Sequence, residues 1–252
     1  MDVNITGAKV LYTIKTNIPI LGDIQITETI VVGWLVLLLI TAACVWLTRD
    51  LKVEDVSKRQ AIAEMLYEMA HNFVDDTMGK KFKHYVPFIA ALFLSSIVSN
   101  LIGLTGLRSP TSDLSTEAAW AVVVFVLITK NKIKAGGVGG YFRGFLDPIP
   151  LLAPFNVISE FATPISMACR HFGNMLSGLV INALIYAALA ALSAFVFGLL
   201  PGFLGDLLSQ IPILSVGIPA VTSVYFDWFS SFMQAYIFCM LTTMFIADAA
   251  GE

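Results

Sequence analysis

Apolar and polar positions alternate along this chain in long blocks. Ile30–Leu47 is uninterrupted by charge and long enough, at 1.5 Å per helical residue, to cross a hydrocarbon core of roughly 30 Å. Arg49, Asp50 and Lys52 stop it. Next, Ile62, Met65, Leu66, Met69 and Phe73 recur at helical spacing, while Lys58, Arg59, Glu64, Glu68 and Asp75 take the other face. This pattern predicts an amphipathic helix, either lying in the membrane interface or packed on a partner outside it. Val86–Leu104 predicts a second crossing and Leu114–Ile128 a shorter third. Between them Thr105–Asp113 carries Gly106 and Pro110 as turn formers, so 86–128 should be a transmembrane hairpin. Lys130, Lys132, Lys134, the Gly136–Gly140 run and Pro148-Ile149-Pro150 make 129–150 a polar connector.

The last part of the chain is different. Leu151–Phe197 is 47 nearly unbroken apolar residues, about 70 Å if helical. Such a segment must bend, tilt strongly or break, and Pro164 is one candidate bend. Gly198–Pro212 is a turn region, and Val216–Ala247 is a second overlong apolar run. The expected fold is an all-α integral membrane protein. It has five crossings, two of them long and strongly tilted, and one amphipathic helix. The expected divisions are an N-terminal segment 1–29, a first crossing 30–48, a loop with the amphipathic helix 49–85, the hairpin 86–128, the connector 129–150, and the two long helices within 151–252.

Composition agrees with the pattern. Hydrophobic residues make up 57% and charged residues 13%, whereas a soluble domain is about a quarter charged. The net charge of -3 gives no reason to expect a nucleic-acid partner. Cys44, Cys169 and Cys239 lie far apart in apolar runs, without metal or redox spacing, and suit small buried hydrophobes. The N-terminus carries neither a signal-peptide pattern nor an Arg-rich transit pattern, so 1–29 is expected to be a polar segment of the protein. Loop 49–85 holds seven Lys or Arg and loop 129–150 holds four, against one in 105–113 and none in 198–212. The positive-inside rule therefore makes 49–85 and 129–150 cytoplasmic and the N-terminus external.

After Arg143 the only Lys or Arg is Arg170, in the middle of the first overlong helix. A cation at the bilayer centre costs about 2.5–3.5 kcal/mol on insertion scales. It faces a polar interior or an ion pathway, or else it is a structural arginine that snorkels or pairs with one carboxylate. Gly173, Asn174 and Ser177 share its helical face. Such small or polar residues allow close approach of another helix, within the chain or on a partner.

Carboxylates flank Arg170 in depth. Glu160 lies ten residues earlier, about 15 Å nearer the cytoplasmic end. Asp227 and Gln234 share a face of the last helix, with Asp227 nearer the outer end; Asp113 and Glu117 begin the third crossing, also at the outer end. Asp113 is equally an N-cap candidate. A fixed cation between inner and outer acids is what two offset aqueous paths require. His171 points about 100° away from Arg170 and suits a core or interfacial position before a proton relay. The sequence contains no metal motif, phosphate loop or nucleophile elbow, so no cofactor is expected.

The run Pro164-Ile165-Ser166-Met167-Ala168-Cys169-Arg170-His171-Phe172-Gly173-Asn174-Met175 resembles the signature of subunit a of F-type ATP synthases. Ser99-Asn100-Leu101-Ile102-Gly103-Leu104 and Gln234-Ala235-Tyr236-Ile237-Phe238 resemble two further runs of that family, in the same order, over most of 30–247. The resemblance implies a stator subunit whose two tilted helices pack on a ring of c subunits. It implies peripheral-stalk b subunits and the other synthase subunits as partners, and a bacterial plasma membrane or an organelle membrane as the location. It gives Arg170 as the essential arginine, Asn174 and Gln234 as polar neighbours, Glu160 as the inner half-channel acid, and Asp113 as the outer-channel aspartate. Asp227 falls where the family carries His or Glu. Leu179 stands where many bacterial members carry glutamate, and His171 replaces the usual leucine. The chain would then be no enzyme itself: it would conduct protons or sodium ions through two half-channels to the ring carboxylate. A secondary transporter or channel with an arginine-gated pore is the alternative, and it would predict internal repeats.

Overall fold

The computed structural model describes residues 8–15, 23–147, 149–198 and 224–251. The turn 198–212 and the start of the run from Val216 lie almost entirely outside them. β1 (Val10–Ile14) and β2 (Ile24–Thr27) form an antiparallel pair. Among the described residues six α-helices follow: α1 (Glu28–Leu47), α2 (Lys58–Met78), α3 (Val86–Leu101), α4 (Leu114–Gly144), α5 (Ala153–Gly198) and α6 (Ser230–Ala249). A 3₁₀ turn Lys80–Tyr85 leads into α3 and a π-helical turn Val224–Phe229 into α6.

Four stretches among the described residues are long and apolar enough to cross a membrane: Glu28–Leu47, Lys80–Thr105, Pro150–Val196 and Ser230–Ala249. α1 shows how such a helix is placed. Trp34, Leu37, Leu38, Val45 and Trp46 are all exposed on it, which only a hydrocarbon solvent tolerates in such a continuous apolar surface. α5 runs without a break through Pro164 over 46 residues, so the proline does not divide it. α4 continues sixteen residues (128 to 144) beyond the apolar stretch that ends at Ile128, into the polar connector. Its ladder is interrupted at Gly137, whose φ of 70° is readily adopted only by glycine.

The β pair is a feature that the polar character of 1–29 does not suggest. Its local signal is Val10-Leu11-Tyr12-Thr13-Ile14, rich in residues that favour strands.

The core lies where the end of α2, α3, α4, α5 and α6 meet. Val74, Val86, Ile89, Val124, Met167, Phe238 and Ile246 fill it. α2 contributes only its C-terminal part: Ile62, Met65, Leu66 and Met69 remain exposed. Its N-cap is Ser57, whose Oγ accepts from the Gln60 amide at 3.3 Å. α1 joins through a smaller cluster of Val32, Val36 and Ile102.

Candidate functional site

α4 and α5 pack antiparallel, and two polar contacts fix their register. Towards the start of α4, Glu117 faces His171; further along, Lys132 Nζ donates to Glu160 Oε2 at 2.5 Å. The fifteen residues between Glu117 and Lys132 span about 22 Å of helix. Arg170, next to His171 in the chain, therefore lies near the Glu117 contact, and Glu160 belongs to the Lys132 contact.

Arg170 is exposed, and no described residue pairs with it or accepts a hydrogen bond from it. Met167, Ala168 and His171 on the same turns are buried, so α5 anchors one face in the core and turns the arginine away from it. Gly173 keeps the arginine's side of the helix open: a Cβ placed there would meet nothing within 4 Å. Ser177 is exposed, its hydroxyl donating back to the Asn174 carbonyl at 3.0 Å. Asn174 is half-buried and pairs with Ser230 at the start of α6, the amide Nδ2 donating to Oγ at 2.9 Å. Gln234 is buried one turn further along α6. Asn174 thus joins α5 to α6, while Arg170, Gly173 and Ser177 lie on exposed or half-buried positions.

Glu160 and Asp113 occupy different environments. Glu160, half-buried, also accepts from the Tyr141 hydroxyl at 3.4 Å. Asp113 is the N-cap of α4: Oδ1 accepts from the Ser115 amide at 3.0 Å, and Oδ2 accepts from Thr29 Oγ1 at 2.9 Å. Partial burial pushes its pKa up, but the bonds from Ser115 and Thr29 and the charge of Arg108 outweigh this and hold the carboxyl below the usual carboxylate range. The side chain of Asp227 lies outside the described residues, as does that of Leu179.

A polar knot lies before the start of α4. Thr111 Oγ1 donates to Asn100 Oδ1 at 2.5 Å, Ser109 Oγ donates to the Ser99 carbonyl at 2.6 Å, and Asn100 Nδ2 reaches the Ser231 carbonyl at 3.5 Å. The linker 105–113 is thereby tied to α3, and α3 in turn to α6, and Gly106 turns the linker with a φ of 82°.

The pair Glu117–His171 is the group that sequence pattern did not single out as a unit. Both side chains are fully buried, with Glu117 Oε2 and His171 Nδ1 3.2 Å apart. Ser96 Oγ lies 3.4 Å from the other ring nitrogen, Nε2. Trp120 meets the imidazole edge-on and Phe238 packs against it. The available signals were an acid four residues after Asp113 and a histidine beside the lone arginine.

The model of a family described as ATP synthase A chain matches residues 30–247. Among known proteins, the chain is 34% identical to ATP synthase subunit a 1 of Hahella chejuensis, over 92% of this chain and 88% of that one. It is 33% identical to ATP synthase subunit a 1 of Chlorobaculum tepidum, over 90% and 92%. It is 29% identical to a sodium-ion-specific ATP synthase subunit a of Propionigenium modestum, over 90% and 75%.

Proposed function

The chain belongs to the ATP synthase A chain family, and from that membership we propose how its own residues conduct the coupling ion. It is the ion-conducting stator subunit of a rotary ATP synthase, a multi-pass membrane protein that works with the other synthase subunits. In this reading the chain crosses a bacterial plasma membrane five times, with α4 as the crossing that the four long apolar stretches leave out. Nucleotide chemistry belongs to partner subunits. The face of α5 that carries Arg170, Gly173 and Ser177 meets a ring of c subunits, and peripheral-stalk b subunits hold the chain still.

The observation that carries this reading is the placement of Arg170. It is an exposed cation, unpaired among the described residues, in the middle of a long apolar helix, and such a charge calls for an anionic partner. A ring carboxylate meets that need. The guanidinium favours the ionised form of that acid. Because it does not itself deprotonate, it separates the outer and inner access paths. The inner path runs by Glu160, and the outer path by Asp113 and Asp227. Asn174 and Gln234 supply polar contacts beside the arginine.

Cysteine pairing tests the contact. With the native cysteines replaced, Ser177→Cys should form a disulfide with a cysteine on the outer helix of the ring subunit under mild oxidation of the intact complex. A cysteine at Val124, buried against the core, should not. Pairing from Val124 and none from Ser177 would show that another face meets the ring.

A further inference from the structure

The Glu117–His171 pair has features that a packing role does not require. A carboxylate and an imidazole are held 3.2 Å apart with no exposed surface on either. Neither Glu117 oxygen nor His171 Nδ1 makes a well-aligned hydrogen bond among the described residues. Burying two such groups without satisfying them is costly, and a pair of apolar side chains would serve packing at least as well. The pair also has a defined position. Glu117 is one turn, about 6 Å, into α4 from Asp113, and His171 adjoins Arg170. Asp113 is half exposed at the outer mouth, so the pair stands between an aqueous group and the arginine.

We infer that Glu117 and His171 form a proton-relay pair through which the outer access path of this chain reaches the neighbourhood of Arg170. The inference rests on the ion-conducting reading above and identifies the ion for this path. An imidazole nitrogen opposite a carboxylate handles a proton, whereas a hard cation such as sodium takes a shell of oxygens. In the transfer step the acid form of Glu117 gives its proton to His171 Nδ1. One O–H bond breaks and one N–H bond forms, leaving a carboxylate beside an imidazolium. The imidazolium then releases its Nε2 proton on the Ser96 side, for onward passage to the ring carboxylate. The Nδ1–H imidazole left behind must turn over or exchange that proton to regain the Nε2–H form before Glu117, reprotonated from the side of Asp113, transfers again.

Among the described residues, few other titratable or charged groups face the pair. On α4 and the linker before it these are Asp113 and Arg108. On α5 the nearest is Arg170, directed to the opposite side. α3 has no titratable residue and offers Ser96, and α6 offers Cys239 beside Phe238. A change in the pH response after substitution of Glu117 therefore reports the pair or one of the two outer-path acids, Asp113 and Asp227.

The test uses the complete synthase in proteoliposomes, with the outer face of this chain towards the lumen. ATP synthesis is driven by a fixed potassium diffusion potential and recorded against lumenal pH. Glu117→Gln keeps size and polarity but cannot pass a proton, and should cut the rate by about tenfold or more, the scale of a lost positioned proton-transfer group. Glu117→Asp should retain most of the rate with a displaced pH profile, and His171→Leu should fall with Glu117→Gln. Parent-like synthesis by Glu117→Gln overturns the inference, as does synthesis driven by a sodium gradient at uniform pH that is indifferent to Glu117→Gln. If Glu117→Gln prevents assembly, Glu117→Asp carries the test, and an unchanged pH profile overturns the relay. Arg170→Ala is the control: if it synthesises ATP, the ion-conducting reading itself fails, whereas an inactive Arg170→Ala beside an active Glu117→Gln removes only the relay.

Discussion

Asp113 does two things that substitution can separate. It caps α4 through Ser115 and receives a hydrogen bond from Thr29 on α1. Asp113→Ala removes both. Loss of an N-cap costs about 1 kcal/mol, and loss of a hydrogen bond to a charged acceptor costs about 1.5–3 kcal/mol. Thr29 can still turn its hydroxyl to Thr27, 2.7 Å away, which favours the lower end. The sum is then about 2–3 kcal/mol. Asp113→Asn caps a helix as well as aspartate does, and its amide can donate to Thr29 where the carboxylate accepted. It should stay within about 1 kcal/mol of the parent. The assay is heat denaturation of the detergent-purified complex, followed by loss of this chain from the soluble fraction. Asp113→Ala should melt lowest and Asp113→Asn near the parent. pH supplies a second check. Because the folded pKa is lowered from 3.8, the contribution is complete above the unfolded pKa and is lost as pH falls through the folded value. The gap between parent and Asp113→Ala should therefore hold at neutral pH and narrow only below about pH 4. Equal melting of Asp113→Ala and parent, or an Asn variant as weak as Ala, would refute the capping argument.

Gly173→Leu has open space in the isolated chain. Expression and melting should be unchanged while ATP-driven ion pumping is lost, and normal pumping would show that this face meets no ring. Lys132→Ala leaves Glu160 without its cation, so pumping should fall, and Lys132→Arg should restore most of it. A silent Lys132→Ala would mean that the ion pair is only a surface contact. With native cysteines replaced, Ser159→Cys should react with a membrane-impermeant thiol reagent from the cytoplasmic side and Phe226→Cys from the outer side. Reaction of both from one side would remove the two-path arrangement.

The crossings were legible because one signal, continuous apolar length, is set by bilayer thickness and needs no tertiary information. α1, α3 and α5 follow that signal closely. α4 does not end where its apolar run ends: after Ile128, Lys130, Lys132 and Lys134 are good helix formers, and only Gly137 interrupts the ladder. Arg170 was legible for the converse reason, since a lone cation stands out against an apolar background. What it touches was not. The β pair was missed because a few strand-favouring residues carry little weight in a polar segment. The Glu117–His171 pair joins residues 54 positions apart (171 minus 117), and no periodicity within one helix reports which face another helix will meet. Glu160 was expected from its depth, but its tie to Lys132 depends on the α4–α5 register.

In the proposed mechanism Arg170 couples ion flow to rotation. The most direct measurement is ATP-driven ion uptake by proteoliposomes holding the complete synthase with Arg170→Ala or Arg170→Lys. Assembly is checked by co-purification of the ring subunit. The account predicts assembled complexes with no coupled uptake and no ATP synthesis. The lysine variant should fail as well, because a compact ammonium does not reproduce the planar, permanently charged guanidinium. Coupled uptake at the parent rate by assembled Arg170→Ala would contradict it.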